Sequence, residues 1–305
     1  MLWIWIIVLV LALGVLIKGA DWFTEGAEAV GVRLGMSPFV VGVTIVSIGT
    51  SLPELASSIA AVLAGKSEIV LGNVVGSNIA NILFVLGLGA LVAKGMETKW
   101  DIAKVDLPIL FGATFLLILT VIDGSFGFIE ALVFLAFFAV YIHYALTGNK
   151  DKPKIEAGLE GSTAIVALIG GLILVIVGAK FLIDSVVGIS TIMGISTAII
   201  SASVVAFGTS VPEAVVTIVA ALKGKKDIAI GNIVGSNIFN ILFIMGVAGL
   251  FDKLAVDKML LTYAVPMLVA ATFMFWFVTQ DKKVTRWEGA TLLILYIFFI
   301  AKLFI

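Results

Sequence analysis

Apolar residues run along this chain in long blocks separated by short polar joints. A helix needs about 20 mostly apolar residues to cross a bilayer. Blocks of that order lie near 2–20, 38–64, 68–92, 105–122, 127–147, 162–183, 195–222, 227–250, 259–279 and 286–303. The pattern predicts ten membrane-spanning helices. The first block has no Lys or Arg ahead of it and no small-residue cleavage site after it, so it is expected to be an uncleaved span. Four blocks break the apolar pattern at helical spacing. Thr44, Ser47, Ser51, Glu54 and Ser58 step by three or four, as do Ser203, Ala206, Ser210, Glu213 and Thr217. Asn73, Ser77 and Asn81 step by four, as do Asn232, Ser236 and Asn240. Each set lies on one face of its helix, so four polar faces can meet around one point.

These faces belong to a duplicated phrase. Gly49-Thr50-Ser51-Leu52-Pro53-Glu54 returns 159 residues later as Gly208-Thr209-Ser210-Val211-Pro212-Glu213. The same offset carries Gly72-Asn73-Val74-Val75-Gly76-Ser77-Asn78 onto Gly231-Asn232-Ile233-Val234-Gly235-Ser236-Asn237. The expected organisation is a first five-helix repeat over 1–147, a linker over 148–161 and a second five-helix repeat over 162–305. Five spans is an odd number, so equivalent helices must cross in opposite senses. Inverted repeats with a midplane site at their interface are characteristic of secondary transporters.

Composition narrows the class further. Hydrophobic residues make up 61% of the 305 and charged residues only 13%, against about 25% charged in soluble domains. The expectation is an all-α integral membrane protein in contact with lipid. A net charge of −1 gives no reason to expect a nucleic-acid partner. Lys and Arg accumulate in alternate joints, at Arg33, at Lys94, Lys99 and Lys104, at Lys150, Lys152 and Lys154, at Lys223, Lys225 and Lys226, and at Lys282, Lys283 and Arg286. The positive-inside rule makes those joints cytoplasmic, which puts the central linker inside and both termini outside a cell membrane. There is no Cys, and His143 is the single His. Any metal that the protein handles must therefore be held by oxygen.

Glu54 and Glu213 are carboxylates inside apolar blocks, where ionisable groups are rare and mark ion or substrate pathways. Pro53 and Pro212 lack an amide hydrogen and clash with the carbonyls of Gly49 and Gly208, so helical hydrogen bonding is expected to break just before each Glu. The freed carbonyls can turn inward as cation ligands. Two carboxylates, several hydroxyls, side-chain amides and loose carbonyls suit a hard cation such as calcium, or sodium of similar size. The Gly72-x-x-x-Gly76 and Gly231-x-x-x-Gly235 spacings predict close helix packing. Glu130, Glu288, Asp123, Asp281, Asp184 and Asp21 fall near predicted interfaces, where they are expected to anchor or cap helices.

At these residues the sequence resembles the sodium/calcium exchanger family of the calcium/cation antiporter superfamily, in its prokaryotic form without a regulatory domain. That family's paired repeats carry G-[TS]-S-x-P-E and G-N-x-x-G-S-x-x-x-N, and both copies here match closely. The resemblance implies a sodium/calcium antiporter with transported ions in place of cofactors and no obligatory protein partner. It implies that Glu54 and Glu213 are central ligands, joined around calcium by Thr50 and Thr209 through their backbone carbonyls. Ser51, Ser77, Ser210 and Ser236, with the carbonyls of Ser47 and Ala206, would complete flanking sodium sites, and Asn81 and Asn240 would close the central ring. Some relatives have Asp where this chain has Asn240, so the centre carries two carboxylates and potassium cotransport is not expected. Proton/calcium antiport, or a cation channel with a paired-Glu filter, would use the same residues. No nucleophile-base-acid set suggests an enzyme.

Overall fold

Helical periodicity becomes helix almost everywhere in the computed structural model, which describes residues 2–147, 158–194, 208–258 and 260–303. Helix α1 (Leu2–Arg33) leads into a broken segment made of α2 (Pro38–Val41), a π-helical turn (Gly42–Val46) and α3 (Ser47–Thr50), followed by α4 (Leu52–Leu63). Then come α5 (Glu68–Ile79), a π-helical turn (Ala80–Val85) and α6 (Leu86–Val92), with β1 (Met96–Glu97), α7 (Asp106–Val121), β2 (Ser125–Phe126) and α8 (Phe128–Thr147) closing the first half. The second half holds α9 (Gly161–Ile192), α10 (Val211–Leu222), α11 (Lys226–Ile238), a π-helical turn (Phe239–Ile244) and α12 (Met245–Phe251). It ends with β3 (Leu254–Ala255), a π-helical turn (Leu260–Ala264), α13 (Val265–Thr279), β4 (Lys283–Val284) and α14 (Arg286–Leu303).

Among the described residues six helices are long and apolar enough to cross a membrane, or seven if the bent pair Pro38–Thr50 and Leu52–Leu63 counts as one span. The chain is a helical membrane protein. The start of the block expected at 195–222, and with it Ser203 and Ala206, lies outside the described residues, as does most of the linker.

Local geometry recurs at the offset of the duplicated phrases. Ser51 has φ −88° and ψ 7°, and Ser210 has φ −85° and ψ 5°. Gly35 and Gly194 turn the chain at φ 76° and 74°, and Gly65 and Gly224 at φ 69° and 78°, left-handed values that favour glycine. The π-helical turns at 80–85 and 239–244 correspond residue for residue. Two short antiparallel ladders join the halves, with Met96 opposite Val284 and Phe126 opposite Leu254.

α1 continues to Arg33, well past the apolar block at 2–20. Its added turns carry Asp21, Glu25 and Glu28, which form ion pairs rather than meeting lipid alone. Lys18 lies 3.6 Å from Asp21, Lys223 pairs with both Asp21 and Glu25, and Lys225 lies 2.7 Å from Glu28. α1 packs along α9 at glycines: a Cβ on Gly26 would stand 2.3 Å from Leu168 N, and one on Gly171 would stand 2.3 Å from Phe23 N. The outer faces of this pair, with Ile4, Ile7, Val10 and Leu11 on one helix and Val166, Ile169 and Ile173 on the other, are exposed apolar surface. The spans Glu68–Val92 and Lys226–Phe251 are mostly buried and form the centre.

Candidate functional site

The break at Ser51 follows from Pro53 at the second position of α4, where a residue without an amide hydrogen is tolerated. The segment Pro38–Thr50 and α4 meet at 42° across it. Pro212 takes the same position in α10. Each helix therefore begins inside the protein, with Glu54 or Glu213 in its first turn beside the positive end of the helix dipole. Both glutamates are 1% exposed. None of the ion pairs among the described residues involves either of them. A salt bridge to a buried cationic side chain thus does not account for these two carboxylates.

Glycines bring the opposing polar faces together. A Cβ on Gly231 would lie 2.4 Å from Phe39 O, and one on Gly235 would lie 2.5 Å from Val43 O, so the broken segment crosses α11 at backbone distance. That crossing sets Thr50 and Ser51 against Asn232 and Ser236. Thr50 Oγ1 donates to Asn232 Oδ1 at 3.2 Å, and Ser51 Oγ lies 2.9 Å from Glu213 Oε1 and 3.1 Å from Ser236 Oγ. In the matching arrangement Thr209 Oγ1 lies 3.5 Å from Asn73 Oδ1 and 3.2 Å from Ser77 Oγ. Asn73 Nδ2 reaches Glu54 O at 3.2 Å and Ser58 Oγ at 3.0 Å, and Asn232 Nδ2 donates to Thr217 Oγ1 at 2.9 Å. Asn73 and Asn232 are the braces of the site. The stride-of-four pattern marks them as polar, but not as supports for Thr50 and Thr209.

Asn81 and Asn240 each sit second in a π-helical turn, a feature that is frequent at functional sites. α4 packs against the turn that carries Asn240, and α10 against the turn that carries Asn81. Ser47 is buried and its hydroxyl donates to Val43 O, while its own carbonyl accepts from Ser51 N at 3.0 Å and from Thr50 Oγ1 at 3.3 Å.

The buried side-chain polar atoms without a hydrogen-bond partner among the described residues are confined to this region. They are both carboxylate oxygens of Glu54, Glu213 Oε2, both amide atoms of Asn81, Ser210 Oγ, Asn237 Oδ1 and Asn240 Oδ1. Leaving such a group unsatisfied costs about 1–3 kcal/mol, and more when it is charged. Seven of the eight atoms are oxygens, and a bound cation is the chemistry that would satisfy those of Glu54, Glu213, Asn81, Ser210 and Asn240. No group of three His, Cys, Asp or Glu gathers anywhere among the described residues. A cation here would meet two carboxylates and neutral oxygens. Hydroxyl and amide oxygens around two acids can bind and release a hard ion.

Comparison with known proteins places the chain in a family. The profile of the sodium/calcium exchanger protein family matches residues 4–147 and 163–305. The sodium/calcium exchanger MaX1 of Methanosarcina acetivorans is 35% identical over 98% of this chain and 98% of its own length. An uncharacterized membrane protein of Methanocaldococcus jannaschii is 35% identical over 96% of each chain. Among solved structures, the sodium-calcium exchanger NCX_Mj soaked with 10 mM Na+ and 10 mM Sr2+ superposes with a TM-score of 0.86 at 32% identity, covering 99% of both chains.

Proposed function

The chain belongs to the sodium/calcium exchanger protein family, whose members are transporters and not enzymes and move Na+ and Ca2+ without a cofactor, and from that membership we propose a mechanism of alternating access at a two-glutamate site. Sodium entering down its gradient and calcium moving against its own occupy one pocket in turn. Glu54 and Glu213 are the charged ligands. The backbone carbonyls of Thr50 and Thr209 join them around calcium. Ser51, Ser77, Ser210 and Ser236, with the carbonyls of Ser47 and Ala206, hold flanking sodium ions, and Asn81 and Asn240 close the ring. Two carboxylates balance one divalent or two monovalent cations, which makes calcium and sodium competitors for the same oxygens. Asn240 adds no third charge, so exchange is independent of potassium.

The observation that carries this reading is the pair of buried glutamates without a cationic partner among the described residues, set among unsatisfied oxygens. An empty pocket holding two charges would incur a large desolvation cost on crossing a low-dielectric barrier, so the unloaded protein resists changing sides and leak is suppressed. The same reading places ten spans in two inverted five-helix repeats, 1–147 and 162–305, joined by a cytoplasmic linker at 148–161, with both termini outside.

Reconstitution in liposomes tests it. Calcium uptake should follow an imposed sodium gradient and ignore potassium and proton gradients. Glu54→Gln or Glu213→Gln should abolish that uptake while the protein still elutes as a single species, because each removes one of the two charges that balance calcium. Sodium-driven uptake surviving either change, or uptake that answers to pH instead of sodium, would overturn the assignment.

A further inference from the structure

Asn78 and Asn237 occupy the same place in the two Gly-Ser-Asn phrases, in the last turns of α5 and α11, and both are fully buried. Neither has a role in the ion site proposed for this chain. Asn78 Nδ2 donates to the backbone carbonyl of Asn237 at 3.3 Å. A carbonyl can only accept, so this bond decides which end of the Asn78 amide is the NH2 group, and its Oδ1 must face the other way. Asn240 Nδ2 donates to that oxygen at 3.2 Å. The second bond therefore orients Asn240 in turn, and leaves Asn240 Oδ1 as a buried oxygen with no partner among the described residues.

Orientation matters here more than presence. The two ends of an asparagine amide are nearly the same size, and the torsion that turns them over is broad, so sterics alone do not choose between them. One end offers a cation an oxygen; the other offers it two hydrogens. Asn81, the equivalent of Asn240, has nothing to settle this choice, since both of its amide atoms lack a partner among the described residues. Asn237, which would be its orienting residue, donates to Ile233 O at 2.7 Å and keeps an unpartnered Oδ1. One relay is formed and its counterpart is not.

We propose that Asn78 is a positioning residue, which passes the direction of the Asn237 main-chain carbonyl to Asn240 and so holds the Asn240 amide oxygen toward the transported cation. The inference rests on the reading of Asn240 as an ion ligand, and the experiment separates the two. Sodium-driven calcium uptake is measured in liposomes for the unaltered protein and for N78L, N78A, N240L, N240D and the double variant N78L/N240D, each first checked for a single species on size exclusion. Two substitutions at Asn78 keep the test alive should the larger side chain disturb packing. Both should raise the KM for calcium about tenfold, the order expected for misorienting one buried polar ligand, with the maximal rate near that of the unaltered protein. Asp has oxygen at both ends and needs no orienting, so N78L should cost nothing further in the N240D background. An unchanged KM in the Asn78 variants, or a loss that simply adds to that of N240D, would reduce Asn78 to a packing residue. An unchanged KM in N240L would instead remove Asn240 from the ion site, and the relay with it.

Discussion

Ser51 and Ser210 sit at the same bend with nearly the same backbone angles, yet only Ser51 meets a carboxylate, at 2.9 Å from Glu213 Oε1. Ser210 Oγ and both oxygens of Glu54 have no partner among the described residues. A typical hydrogen bond is worth about 0.5–1.5 kcal/mol net, and leaving its buried acceptor unsatisfied costs about 1–3 kcal/mol, so the two serines should not be equivalent in the ion-free protein. Ser51→Ala should lower the midpoint of thermal unfolding in detergent without sodium or calcium, at roughly 2–4 °C per kcal/mol, and Ser210→Ala should leave it almost unmoved. Equal shifts would mean that the two hydroxyls are engaged alike. The residue types of the site were legible in the repeated phrases, because a carboxylate beside hydroxyls in an apolar block is too costly to persist there unless it binds something. Which oxygens have partners was not. A sequence written twice with nearly the same letters carries no mark of which copy makes the bond.

The helices themselves were legible from apolar periodicity, but two of their features were not. One is the π-helical turn that carries Asn81 or Asn240, since one extra residue in a turn leaves the spacing of polar positions within what an α-helix also allows. The other is the length of α1, whose later turns carry charges that pair with Lys223 and Lys225 from far along the chain. The glycines between α1 and α9 show what the missing side chains permit. A Cβ at Gly171 would fall 2.3 Å from the main-chain nitrogen of Phe23, a contact that only separation of the two helices can relieve. Gly171→Ala should therefore cost about 1–3 kcal/mol, the range for overpacking, seen as a lower unfolding midpoint. Gly14→Ala lies on the exposed side of α1, where nothing among the described residues stands within 4 Å. That change should be neutral or add up to roughly 1 kcal/mol from helix propensity. If both variants melted alike, close α1–α9 packing would not be what these glycines provide.

The halves also meet reciprocally. β1 pairs with β4 and β2 with β3, while the 159-residue offset places β1 in correspondence with β3 and β2 with β4. When element x of one half touches element y of the other, and the counterparts touch the other way round, the pattern is that of a two-fold axis. An axis lying in the membrane plane is what the proposed inversion requires, and it would let one pocket be approached from either side by similar surfaces. The native chain has no Cys, so single introduced cysteines report sidedness cleanly. Ala64 and Lys223 hold equivalent places just after α4 and α10, and both are exposed. In intact cells a membrane-impermeant maleimide should label the Ala64→Cys variant, and should label Lys223→Cys only after the membrane is opened. Labelling of both from one side would leave the halves parallel, and Glu54 and Glu213 could not then reach a shared midplane site from opposite faces of the membrane.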